Sequence, residues 1–258
     1  MLTPPFLRAD RPVIWAHRGS SREAPENTLA AFALAAQQGA DGVELDVQLA
    51  GTGEVVVLHD ESLGRTTGFA GLLRETSWTK LRTLDAGSRK SARWAGERVP
   101  LLAQVLGETP QTLLVNIELK CERADDRGLT ASVVKVVREA RAQHRVLLSS
   151  FNPLCLWRAR ALAPQLPRAL LFEGEMSWPL RQALLAPLGQ ALHPEASLIT
   201  AQRAAHWRAR GYTLAAWTVD DPAVATLLWA RGVSGLITND PARLLARFGA
   251  ASARGAGP

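Results

Sequence analysis

His17 and Arg18 follow the apolar run Val13-Ile-Trp-Ala16, and Glu44 and Asp46 alternate with Val43, Leu45 and Val47. Both runs read as buried strands, where an uncompensated charge costs several kcal/mol. Residues two apart on a strand share a face, so Glu44 and Asp46 project together. Glu118 and Lys120 repeat that spacing in Val115-Asn-Ile-Glu-Leu-Lys120. Three carboxylates converging on one axis repel one another unless a cation lies among them. A divalent ion would answer this, and so would an internal ion-pair cluster with Lys120 as its cation. Three acids against one lysine leave surplus negative charge, which favours the ion. Ligation by oxygen alone selects Mg²⁺ or Ca²⁺ rather than Zn²⁺.

His17 and His59 each end an apolar run, the second being Val55-Val-Val-Leu58. An imidazole gives or takes a proton near neutral pH, so two of them can activate a nucleophile and protonate a leaving group. A single histidine so placed is more often a structural hydrogen-bonding residue; two beside the acids shift the balance toward catalysis. His144 and His206 read as helix-surface residues, while His193 ends a strand and is placed to line a pocket. Arg18 and Lys120 supply a planar fork and a point charge, a pair suited to a phosphoryl group. Arg18 also suits an ion pair with Glu44 or Glu26, which is compatible with that role. The residues alone therefore point to a metal-dependent phosphoryl hydrolase of unspecified substrate.

Strand-like and helix-like segments alternate along the whole chain. The strand runs are 12–16, 42–49, 55–58, 112–119, 146–149, 169–172, 190–193, 213–218 and 235–238. Helical spacing occupies 27–38, 101–108, 129–143, 153–163, 178–186, 201–210, 222–231 and 241–248. Pro222 and Pro241 stand at first helical turns, and Gly39, Gly211 and Gly232 stand just past helix ends. About eight strand-then-helix units with strands apolar on both faces predict a parallel sheet, most economically an α/β (β/α)₈ TIM barrel. A doubly wound open sheet is the alternative, but no Gly-x-Gly-x-x-Gly turn follows the first strand. Strand C-terminal ends are then where an active site is expected. From about Asp60 to Pro100 the rhythm fails, which predicts a small inserted subdomain capping one end of a single domain spanning 1–258. The segment 250–258 is small and polar and is expected to be disordered.

Of 258 residues, 47% are hydrophobic and 21% charged, enough to bury a full core. The net charge is +6, yet the 30 basic residues are scattered, 26 of them arginine, with acids interleaved. That pattern describes solvated helix faces rather than a nucleic-acid footprint. No apolar run suits a membrane span or a signal peptide, and two cysteines make no disulfide framework. A cytoplasmic protein acting on a small molecule, with no nucleic acid and no stable membrane insertion, is the expectation.

The collinear blocks His17-Arg-Gly19, Ala24-Pro-Glu-Asn-Thr28, Gly39-Ala-Asp-Gly-Val-Glu-Leu-Asp46 and Val57-Leu-His-Asp60 resemble the signature of the glycerophosphodiester phosphodiesterase family. Glu97-Arg-Val-Pro-Leu101, Asn116-Ile-Glu-Leu-Lys120, Ser150-Phe151, Ala216-Trp-Thr-Val219 and Gly235-Leu-Ile-Thr-Asn-Asp-Pro241 extend the resemblance over nearly the whole chain. It implies a TIM barrel with an insertion after the second strand region, and hydrolysis of glycerophosphodiesters to sn-glycerol 3-phosphate and an alcohol. It also implies Glu44, Asp46 and Glu118 as metal ligands and His17 and His59 as the acid/base pair. Arg18 and Lys120 are then phosphate-binding, Trp217 packs against the glycerol, and Glu26 and Asn27 cap and brace the first helix. Lysophospholipase D-like hydrolysis of lysophospholipids on the same site is the alternative, with Phe69, Leu72, Leu73 and Trp78 of the insertion as acyl contacts. The chain departs from the family pattern at Ala50-Gly-Thr-Gly-Glu54, read as a turn away from the chemistry. Cys121 follows Lys120 and is expected to face away from the site.

Overall fold

The structure, a computed structural model, describes residues 2, 3, 5–121, 125–174 and 190–254. Its strands are β1 (Val13–His17), β2 (Gly42–Leu49), β3 (Val55–Val57), β4 (Leu114–Leu119), β5 (Val146–Ser150), β6 (Arg168–Phe172), β7 (Ala191–Pro194), β8 (Thr213–Ala216) and β9 (Gly235–Thr238). All but β3 are parallel neighbours in the order β1-β9-β8-β7-β6-β5-β4-β2, and β1 pairing with β2 closes an eight-stranded barrel. Helices α1 (Leu29–Gln37), α4 (Leu102–Glu108), α5 (Leu129–Glu139), α6 (Pro153–Leu162), α7 (Ala201–Ala209), α8 (Pro222–Ala230) and α9 (Pro241–Arg254) surround it. Among the described residues no helix is long and apolar enough to cross a membrane. The TIM-barrel expectation holds.

Alternation along the strands sorts the side chains. Val43, Leu45 and Val47 pack outward with Phe32 of α1 and Leu102 and Val105 of α4, and Val115, Ile117 and Leu119 do the same from β4. The opposite faces fill the barrel, with Trp15, Leu114, Leu147, Ala169 and Ile237 forming an apolar plug. Gly42 makes room for that plug: a Cβ there would lie 2.7 Å from the Trp15 ring and 2.8 Å from the Leu114 carbonyl oxygen. Above the plug the inward positions turn polar. The outward pattern that built the barrel therefore leaves Glu44, Asp46 and Glu118 no direction but the axis.

Two expectations differ from the structure. The run 55–58 is not a barrel stave: β3 pairs antiparallel with β2, Val47 opposite Val57, and hangs outside the closed sheet. An all-valine strand is apolar on both faces in either direction, so its pattern carries no orientation; residues 50–54 form the turn. The final helix α9, expected over 241–248, runs on to Arg254. The helix expected over 178–186 lies outside the described residues.

Residues 58–100 leave β3 and return to α4 through two short helices, α2 (Gly64–Thr67) and α3 (Trp78–Leu81), and two 3₁₀ turns. Leu63, Leu73, Leu81, Leu84 and Val99 form a small core of their own against Val56 and Leu58. The segment fastens onto the β1–α1 loop, where Lys90 Nζ donates to the Ser21 carbonyl at 2.8 Å and Trp94 Nε1 to the Glu23 carbonyl at 3.1 Å.

Candidate active site

The C-terminal ends of the staves open into a cavity of about 800 Å³ lined by His17, Arg18, Glu44, His59, Glu118, Lys120 and Trp217, among others. At its floor one ligand oxygen each from Glu44, Asp46 and Glu118 lie within 4.8 Å of one another, all three residues buried. Register produces this: β2 and β4 set Asp46 opposite Glu118, and β1 and β2 set His17 opposite Glu44. The charges are far from balanced. Burial, then the neighbouring Asp46 and Glu118, push the Glu44 carboxyl well above its usual range. Burial, then Asp46, push Glu118 up to about 7. Burial would raise Asp46 too, but Arg18 and then Lys120 outweigh it and hold it low.

Each cation is shared among these acids. Arg18 sits at φ 56° in the left-handed region, turned back so that its Nε lies 3.2 Å from Asp46 Oδ2 and its NH1 donates to Glu26 Oε1 at 3.0 Å. Its backbone N–H donates to Glu44 Oε2 at 3.2 Å. Lys120 Nζ is 2.9 Å from Glu118 Oε1 and 3.8 Å from Asp46 Oδ1. Asp46 Oδ1, although buried, still has no hydrogen-bond partner. Two cations against three buried carboxylates, one with an open oxygen, is a donor set that fits a hard divalent ion.

Both histidines present the same nitrogen to the cavity. His17 Nδ1 is 2.8 Å from Asn239 Oδ1, and Asn239 Nδ2 donates to Asp220 Oδ2 at 2.8 Å. That carbonyl can only accept, so His17 Nδ1 carries the proton and Nε2, 3.9 Å from Glu44, is free. Burial, then the Arg18 charge, lower the His17 pKa and favour the neutral ring. His59 Nδ1 lies 2.6 Å from Asp60 Oδ1, while its Nε2 receives Lys120 Nζ at 3.1 Å. An ammonium only donates, which fixes the same tautomer.

His59 reaches the site differently from the sequence reading. It ends no barrel stave; antiparallel β3 folds back along β2, where the Leu58 N–H donates to the Asp46 carbonyl. Gln48 Nε2 secures the exit by donating to the Leu58 and His59 carbonyls at 3.0 and 2.8 Å.

Trp217, directly after β8, donates Nε1 to the His193 carbonyl at 2.7 Å and meets Phe151 edge-to-face at 5.4 Å. His193 itself is buried below the cavity, its pKa driven by burial down to about 3.

Some expected roles change. Thr28, not Asn27, caps α1, accepting from the Ala31 N–H at 3.3 Å. Asn27 instead donates Nδ2 to Asp46 Oδ2 at 2.9 Å, and Glu26 pairs with Arg18. Cys121 lines the cavity edge, because β4 stops at Leu119 and alternation no longer governs it. Sequence reasoning missed Asn239, Asp220, Asn116 and Gln48. Asn116 had a signal: it precedes Glu118 by two on the same strand face, opposite Glu44.

A buried acidic centre beneath oriented imidazoles, at the C-terminal mouth of a parallel barrel, defines an enzyme of the barrel class. The chain belongs to the glycerophosphoryl diester phosphodiesterase family, whose model matches residues 17–243. A glycerophosphodiester phosphodiesterase of Caldanaerobacter subterraneus is 37% identical over 236 residues, covering 90% of this chain and 96% of that protein. A solved Oleispira antarctica phosphodiesterase in complex with the product sn-glycerol-3-phosphate has a TM-score of 0.87 and 35% identity, covering 95% and 98% of the two chains. A Silicibacter pomeroyi structure of the same family has a TM-score of 0.85 and 26% identity, with 95% of each chain covered.

Proposed function

We propose that the protein hydrolyses glycerophosphodiesters to sn-glycerol 3-phosphate and an alcohol. The observation that carries this is the buried triad of Glu44, Asp46 and Glu118, set beside Arg18 and Lys120 and faced by two imidazoles with matching tautomers. The product held by the Oleispira relative supports the same substrate class.

Arg18 and Lys120 would bind the phosphoryl oxygens, and the apolar face of Trp217 would pack against the glycerol carbons. Of His17 and His59, one acts as the neutral ring and takes the proton from the attacking hydroxyl at Nε2, while the other enters the step as the imidazolium and gives its Nε2 proton to the departing alcohol oxygen. Either water or the glycerol 2-hydroxyl can serve as nucleophile. Glu44, Asp46 and Glu118 would hold one Mg²⁺ or Ca²⁺. When bound, such an ion supplies positive charge next to the phosphoryl oxygens.

Proton linkage gives this reading a test that does not depend on turnover. Without the ion, the fold binds protons at Glu44 and Glu118 that the unfolded chain has already lost, because both pKa values are raised. Stability from that source is present at low pH and is lost as pH rises from the ordinary carboxylate value of 4.5 toward about 7. An ion replaces those protons and removes the loss. The increase in Tm on adding Mg²⁺ or Ca²⁺ to chelated protein should therefore grow from about pH 5 to about pH 8. An increment independent of pH contradicts the ligand assignment.

A second reading, hydrolysis of lysophospholipids, has one observation in its favour. The insertion does not provide it: Leu73 is buried in the insertion's own core, and Phe69 and Trp78 pack against that core. Instead Phe151 and Leu154 line the cavity on the Trp217 side, and with Trp157 they are 40%, 43% and 43% exposed. An acyl chain carried by the glycerol would run along these residues. Release of glycerol 3-phosphate from glycerophosphocholine, compared with turnover of lysophosphatidylcholine, separates the readings. Faster turnover of the deacylated substrate is expected, and turnover of the lysolipid alone would overturn the first reading in favour of the second.

A further inference from the structure

Arg65 comes from α2 of the inserted segment and lies outside the cavity lining, with its side chain 49% exposed. Its Nε donates to Asp60 Oδ2 at 2.5 Å, and its two terminal nitrogens donate to Glu26 Oε1 and Oε2 at 2.7 Å each. Each of those carboxylates holds a residue to which the proposed chemistry gives a task. Asp60 Oδ1 accepts a hydrogen bond from His59 Nδ1–H at 2.6 Å, and Glu26 Oε1 accepts one from Arg18 NH1 at 3.0 Å. A single guanidinium thus joins a chain running His59–Asp60–Arg65–Glu26–Arg18, which Arg18 and Lys120 close through Asp46.

We propose that Arg65 is a positioning residue: from the inserted segment it sets His59 through Asp60 and Arg18 through Glu26. This rests on the functional reading given above. The physical case is geometric. Asp60 and the Lys120 ammonium fix the His59 tautomer only while the ring lies between them, and the Arg65 Nε bond to the other Asp60 oxygen prevents that carboxylate from rotating away and releasing the ring. The same fork holds Glu26 by both oxygens, which leaves Arg18 one direction in which to donate. Without Arg65 the two carboxylates lose the only cation that touches both among the described residues. His59 could then turn away from both Asp60 and the Lys120 ammonium and lose the Nδ1-H tautomer through which Nε2 meets the substrate in either role. A lysine cannot substitute, since one ammonium does not make a bidentate bond to Glu26 and a third bond to Asp60. Half-exposed ion pairs add little to global stability. A purely structural Arg65 would therefore be nearly silent, whereas a positioning one would not.

Arg65→Ala and Arg65→Lys test this, with ¹⁵N-histidine NMR at about pH 8.5, where imidazoles are neutral, and with steady-state kinetics on glycerophosphocholine. In the parent protein His59 is expected as the Nδ1-protonated tautomer. In both variants that signature should shift toward Nε2-H, and kcat should fall about tenfold to hundredfold, with Tm nearly unchanged. Arg65→Ala added to Asp60→Asn should cost less than it does alone, because the two act through one path. An unchanged His59 tautomer, or kcat within twofold of the parent, overturns the proposal. If the parent protein does not hydrolyse the substrate, it is the functional reading that fails, and the tautomer measurement by itself decides the role of Arg65.

Discussion

His17→Ala and His59→Ala should each lower kcat on a glycerophosphodiester by about 10²- to 10⁴-fold, the range contributed by a positioned acid or base. Both rings are held at Nδ1 by an acceptor, Asn239 for His17 and Asp60 for His59, and both present Nε2. Neither ring carries the fold: His17 is the last residue of β1, and His59 lies in the loop leaving β3. Tm should accordingly change little. KM should move less than kcat, because the proposed mechanism gives phosphate binding to Arg18 and Lys120. Retention of full activity by either variant would remove that histidine from the acid/base pair.

Glu44→Gln should move activity and stability in opposite directions. Glu44 is buried, and burial together with Asp46 and Glu118 opposes its ionisation. Replacing it with a neutral amide of the same shape relieves that repulsion in the ion-free protein. The amide oxygen can still accept the Arg18 N–H that now bonds to Oε2. Ion-free Tm is therefore expected to stay level or rise. Activity should fall by about 10³-fold, roughly 4 kcal/mol of transition-state stabilisation, if Glu44 is the ion ligand proposed above. The Tm increment on adding Mg²⁺ or Ca²⁺ should shrink with it. A stability loss of several kcal/mol in the absence of ion would contradict the picture of a repulsive acidic centre.

Much of this architecture could be read from the chain because strand alternation is a local signal. The hydrocarbon of Val43, Leu45 and Val47 dictates which way Glu44 and Asp46 point, and the same holds for Glu118 between Ile117 and Leu119. The direction of β3 could not be read, since Val55-Val-Val57 is symmetric and its pairing depends on a turn that the apolar pattern does not encode. The insertion's core was hidden for a related reason: Leu63, Leu73, Leu81 and Leu84 follow no helical or strand period. The partners that orient the site were the least legible. Asn239 meets His17 across the β1–β9 pairing and is itself held by Asp220, and Arg65 meets Glu26 only because the insertion folds over the β1–α1 loop. Polar residues in loops carry no periodicity to announce such contacts. Only the fold brings them together.

The most direct test of the central claim is ³¹P NMR of glycerophosphoethanolamine incubated with the protein, with Mg²⁺ or Ca²⁺ and again after chelation. The expected result is conversion of the diester to sn-glycerol 3-phosphate with the ion present and none without it. An untouched diester, phosphoethanolamine as the phosphorus-containing product, or cleavage indifferent to chelation would contradict the account.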